Sequence, residues 1–158
     1  MDRAGIAGGT GLMDTQEPRL AFALDYPSLD DARRGASLVA PHAGVLKIGF
    51  ELFIQEGPRA VALGKELGCG VFLDLKLCDI PETVERAVAR AADLGVRYLT
   101  LHASGGPRML EAAQQRAERS GTGLTLLAVT VLTSLDAADL RALGIELSPR
   151  EHVLRLAR

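Results

Sequence analysis

No stretch of the 158-residue chain approaches the ~18 consecutive apolar residues that would mark a membrane span. No run of basic residues is dense enough to track a phosphate backbone, and 18 basic against 20 acidic residues leave a net charge of only −2. Nucleic acid and membrane are therefore not expected as partners. The segment up to Glu17 has no apolar core after its single Arg3, so no secretory signal is expected. It reads as a Gly-rich leader over 1–18, in which Met13 is an alternative start. Cysteine is scarce. The two thiols, Cys69 and Cys78, flank one predicted strand, and nine steps at ~3.3 Å hold them far beyond the ~7 Å reach of a disulfide. Free thiols fit a reducing cytosol. What is present, 47% hydrophobic and 24% charged residues, is the balance of a globular core, which excludes a disordered chain. One domain over 19–158 is expected.

Lysine is scarce too: fifteen of the eighteen basic residues are Arg and three are Lys. Two of the three, Lys47 and Lys76, lie in or just after apolar runs, where a charge is costly. Those runs recur. Leu20–Leu24, Gly44–Ile48, Gly70–Leu75, Arg97–Leu101 and Leu124–Val129 read as strands, with starts 24, 26, 27 and 27 residues apart. Helical patterns separate them. Ser28 with Asp31 opens one that runs to about Ala40. Pro58, Pro81 and Pro107 stand where first-turn prolines are tolerated, and Gly68 and Gly95 suit left-handed stops. Glu82–Leu94 puts Val84, Ala87, Val88 and Ala91 on one face.

A βα period near 26 with continuously apolar strands predicts an α/β fold of parallel strands covered by helices. Leu24-Asp25-Tyr26-Pro27 carries no GxGxxG after the first strand, and no GxxxxGK[ST] occurs anywhere. A (β/α)8 TIM barrel is thus preferred over an open doubly wound sheet. Only five βα units are present where eight close a barrel. The last segment, Pro149–Arg158, reads as a helix capped by Ser148 and without a Gly or Pro stop. The expectation is an incomplete barrel.

Polar groups gather at the predicted strand ends, where barrels carry their chemistry: Asp25, Lys47, Asp74, Lys76, His102 and Thr130–Ser134. Asp74 and Lys76 are two apart and so leave one face of a strand, with Asp79 following in the loop. Such a D-x-K-x-x-D array keeps an ammonium charged between carboxylates. Blander roles are open to several of these residues. Lys47 could extend its ammonium to water from a strand end, Asp25 could be a turn residue, and His102 and Ser134 could serve their own loops. Cys78 has no His or Cys at metal spacing.

The string Phe72-Leu73-Asp74-Leu75-Lys76-Leu77-Cys78-Asp79-Ile80-Pro81-Glu82-Thr83 resembles the signature of the orotidine 5′-phosphate decarboxylase family. Ala23-Leu24-Asp25, Leu46–Phe53 and Val129–Ser134 stand in the order that family implies, so the resemblance runs from Arg19 to Arg158. It implies a cytoplasmic homodimer of pyrimidine biosynthesis that converts orotidine 5′-monophosphate to UMP without metal or cofactor. Lys76 would protonate ring carbon C6, within a network of Lys47, Asp74, Lys76 and Asp79. Asp25 and Lys47 would hold the ribose, and Ser134 the pyrimidine edge. Asp79, Ile80 and Thr83 would reach into the neighbouring subunit's site. Cys78 and Glu82 depart from the commonest string, which has His and Asn there. The family's phosphate grip, a Gln-bearing loop and a late Arg, finds no counterpart before Arg158. The other functional classes to weigh are a Mg²⁺-dependent sugar-phosphate enzyme of the same superfamily and an inactive truncated fragment.

Overall fold

The computed structural model describes residues 20–158. The expected leader over 1–18, Met13 included, lies outside the described residues. Among the described residues five strands are present: β1 (Ala21–Ala23), β2 (Val45–Ile48), β3 (Gly70–Leu77), β4 (Tyr98–His102) and β5 (Thr125–Val129). They form one parallel sheet in the order β1-β2-β3-β4-β5. Seven α-helices among the described residues connect and follow them: α1 (Leu29–Val39), α2 (Phe50–Glu56), α3 (Pro58–Glu66), α4 (Pro81–Asp93), α5 (Pro107–Ser120), α6 (Ala137–Ala142) and α7 (Pro149–Leu156). This is the first part of a barrel, with strand and helix alternating as the period predicts.

The helix ends follow their residues. Ser28 caps α1: its hydroxyl accepts the Asp31 N–H at 3.2 Å and donates to the Asp31 carboxylate at 2.6 Å. Pro58, Pro81 and Pro107 each occupy a first helical turn, where a missing N–H costs nothing. Gly57, at φ 56°, breaks the second connection into α2 and α3. Ser148 and Glu151 form a reciprocal cap on α7, a helix with no buried residue.

In-register neighbours of a parallel sheet share a face. Leu46, Ile48, Val71, Leu73, Leu99 and Leu101 lie on the helix side, where they meet Ala32, Ala36, Leu52, Leu63, Val84, Val88, Met109 and Ala113 in one buried cluster. Lys47, Phe72 and Tyr98 lie on the other face, with Phe72 and Tyr98 in edge-to-face contact at 6.1 Å. One face therefore carries the core and the other is free to carry polar chemistry.

Close packing of α3 on β3 rests on Gly64. A Cβ there would stand 2.2 Å from a methyl of Val71 and 3.2 Å from the carbonyl oxygen of Cys69. In an open helix Gly→Ala stabilises by about 1 kcal/mol. Here Gly64→Ala is expected to destabilise by about 1–3 kcal/mol through overpacking, a reversal of sign readable by denaturant unfolding.

Candidate active site

Strand β3 is longer than its apolar run. It continues to Leu77, so Lys76 lies within the strand rather than after it. The extension is irregular. Leu73 pairs with Leu99 and Leu77 with Leu101, so Asp74, Leu75 and Lys76 together face the single Thr100 of β4. Lys76 takes φ 49° there, the one positive φ among the described non-glycine residues. A side chain in that region is held at a cost of about 1–3 kcal/mol by its surroundings. Within this irregular stretch Asp74 and Lys76 meet, Lys76 Nζ donating to Asp74 Oδ1 at 2.8 Å.

Neighbouring strands complete the cluster. From β2, Lys47 sends Nζ to 3.8 Å from Asp74 Oδ2 and 3.4 Å from Asp25 Oδ1, just beyond β1. From β4, the Thr100 hydroxyl donates to Asp74 Oδ1 at 2.9 Å and accepts the Lys76 backbone N–H at 2.9 Å. Asp74 is the hub, its side chain only 15% exposed. Burial works to raise its carboxyl, but hydrogen bonds from Lys76 and Thr100, with the charges of Lys76 and Lys47, prevail and hold it below the usual carboxylate range.

Asp25, Lys47, Asp74 and Lys76 are brought together as the strand-end argument anticipates. Asp79 is not. Within one chain its carboxylate accepts the Ile80 N–H at 2.6 Å and joins no ion pair among the described residues, so one chain by itself assembles Lys47, Asp74 and Lys76 of the expected network. The physical reason is the turn into α4: Asp79 is exposed in the loop and bends back on its own backbone. Ile80 is exposed at the N-cap of α4 and Thr83 is half-buried in its first turn. Ser134 is exposed in the loop after β5. His102 ends β4 without a side-chain capping bond. Cys69 is buried, its thiol pushed up by that burial, and Cys78 is exposed; both are free. Thr100, absent from the sequence candidates, is the group that strand reasoning missed. A β-branched residue in an apolar strand carries no signal except that it is polar and 4% exposed.

Residues 18–158 match the family model described as Orotidine 5′-phosphate decarboxylase / HUMPS family. The chain belongs to that family. Within the Orotidine 5′-phosphate decarboxylase / HUMPS family, it is similar to the orotidine 5′-phosphate decarboxylase of Anaeromyxobacter sp. (strain K), 53% identical over 140 residues, or 89% of this chain and 60% of that protein. It is likewise similar to the enzyme of that name in Enterobacter sp. (strain 638), 47% identical over 97% of this chain and 62% of that protein. A solved orotidine 5′-phosphate decarboxylase from Lactobacillus acidophilus superposes with a TM-score of 0.75 at 31% identity, covering 90% of this chain and 66% of that one. An uncharacterized conserved protein from Geobacillus kaustophilus superposes with a TM-score of 0.79 at 40% identity, covering 87% and 66%. The chain spans about 60% of the length of the curated relatives it matches. Five strands of a barrel's eight stand in nearly the same proportion.

Proposed function

We propose that this chain carries the catalytic array of an orotidine 5′-monophosphate decarboxylase, a carboxy-lyase of pyrimidine biosynthesis that forms UMP and carbon dioxide. The observation that carries the reading is the Lys76 ammonium, 2.8 Å from the Asp74 carboxylate on one face of the central strand. As the bond from C6 to the carboxylate carbon breaks, its electron pair stays on C6. The Lys76 ammonium stabilises that charge and then donates its proton to C6, and the neutral amine regains a proton from water. The array is arranged before the charge develops, and so favours the transition state over the ground state. Asp74 sits against the substrate carboxylate and aims Lys76. Lys47 and Asp25, 3.4 Å apart, take the ribose hydroxyls, and Ser134 bonds the pyrimidine edge.

The proposed assembly is a cytoplasmic homodimer. Exposed Asp79 and Ile80, with Thr83 behind them, are free to reach a neighbouring subunit's site, and no charge partner among the described residues retains Asp79. Among the described residues no helix is long and apolar enough to cross a membrane.

Orotidine 5′-monophosphate added to the purified protein is expected to yield UMP and carbon dioxide at a rate indifferent to a divalent-metal chelator. Chelator-sensitive turnover of a sugar phosphate instead would overturn the reading in favour of the Mg²⁺-dependent class. One observation supports a second reading of this chain taken alone. It matches about 60% of its relatives' length, so an intact array that needs a further segment for activity would give a folded protein and no UMP. Reading the coding sequence past Arg158, with the intact mass of the native protein, separates the two.

A further inference from the structure

We infer that Thr100 is a positioning residue for the proposed decarboxylation, its hydroxyl clamping the bulge of β3 so that the Asp74 carboxylate and the Lys76 ammonium are presented in one fixed arrangement. The inference rests on the decarboxylase reading for its chemistry but on geometry for its mechanics. Between the pairs Leu73–Leu99 and Leu77–Leu101, three residues of β3 face one residue of β4, so the ordinary ladder is broken there. The Lys76 N–H, which a regular ladder would give to a β4 carbonyl, goes to the Thr100 hydroxyl at 2.9 Å. A hydroxyl has one proton and two lone pairs. Having accepted from Lys76, it spends its proton on Asp74 Oδ1, also at 2.9 Å.

That second bond decides how Asp74 is shared. Oδ1 receives both Thr100 and the Lys76 ammonium, which leaves Oδ2 turned toward Lys47 at 3.8 Å. The same hydroxyl therefore fixes the backbone that carries Lys76 and the rotation of the carboxylate that meets it. Water is a poor substitute, because Thr100 is 4% exposed. The positive φ of Lys76 adds to the case, since a residue in that region stays there only when its neighbours over-determine it.

Thr100→Val keeps the shape and removes the hydroxyl; Thr100→Ser keeps the hydroxyl and removes the methyl. In the decarboxylation assay the Val variant is expected to lose about tenfold to a hundredfold in kcat with KM changed less than about threefold, the range of a lost hydrogen bond to a charged group. The Ser variant is expected within about threefold of wild type. A Val variant at wild-type kcat, or one altered in KM alone, overturns the inference. A readout independent of turnover is the ¹³C titration of the Asp74 carboxyl, assigned with Asp74→Asn. It should move up in Thr100→Val and hold in Thr100→Ser, whereas an unmoved titration in Thr100→Val overturns the role. If the titration moves as expected in a protein that makes no UMP, the positioning role is supported, and the absent turnover bears on the decarboxylase reading or on a further segment rather than on the clamp. If Thr100→Val does not fold, Thr100→Cys takes its place, because a thiol fills the space and bonds carboxylates weakly.

Discussion

Lys76→Ala is expected to lower kcat for orotidine 5′-monophosphate decarboxylation by at least about 10⁴-fold in a protein that still folds. Two contributions vanish together. A positioned general acid is worth roughly 10²–10⁴. A preorganised group facing developing charge is worth about 10²–10³ more. The fold has little to lose, because Lys76 lies on the polar face of the sheet and Asp74 keeps Thr100 and Lys47 as partners. Ala also inherits the same φ of 49°, so the backbone cost is about equal in both proteins. Spectrophotometric turnover and denaturant unfolding measure the two quantities separately. Turnover within tenfold of wild type would remove Lys76 from the proposed chemistry.

The second large effect is at the hub. Asp74→Asn is expected to reduce kcat by about 10³-fold or more, because it leaves the ammonium groups of Lys47 and Lys76 without the carboxylate between them. It also carries a pH signature. The Asp74 carboxyl is held below its ordinary value in the folded protein, against the push of burial, by the bonds and charges around it. A group depressed on folding contributes stability that is fully present above its unfolded pKa, near 4, and is lost as pH falls through the lower folded value. The difference in unfolding free energy between wild type and Asp74→Asn is thus expected to be flat above about pH 5. It should narrow toward acid. A difference that widens toward acid would reverse the sign assigned to Asp74.

The period of the apolar runs was enough to place all five strands within a few residues, because a strand covered by helices is apolar along its whole length. Caps were as legible: Ser28, Ser148 and the three first-turn prolines act where their chemistry puts them. The site was legible only in its charges. A Lys within an apolar strand is costly, and that cost drew attention to Lys47 and Lys76. The end of β3 was not legible, since the apolar run stops at Leu75 whereas pairing with β4 resumes at Leu77. Register between strands is a tertiary property, and a bulge leaves no periodic trace. For the same reason Thr100 carries no sequence signal: its part in the site depends on where β4 meets the bulge.

Apart from Asp25, which follows β1, the cluster occupies the middle of the sheet. Lys47, Asp74 with Lys76, and Thr100 belong to β2, β3 and β4, each of which has a strand bonded on both sides, whereas β1 and β5 each bond one neighbour. Local opening begins where the backbone has few partners. Fraying at β1 or β5 must therefore pass through a whole intact ladder before it reaches Asp74. In hydrogen–deuterium exchange the amides of β2 to β4 would form the slow-exchanging unit, and the two outer strands would exchange ahead of it. The Asp74–Lys76 pair is thereby mechanically insulated from the sheet's margins, whereas Asp25, just beyond β1, shares the motion of an outer strand and its 3.4 Å spacing to Lys47 is the first to change.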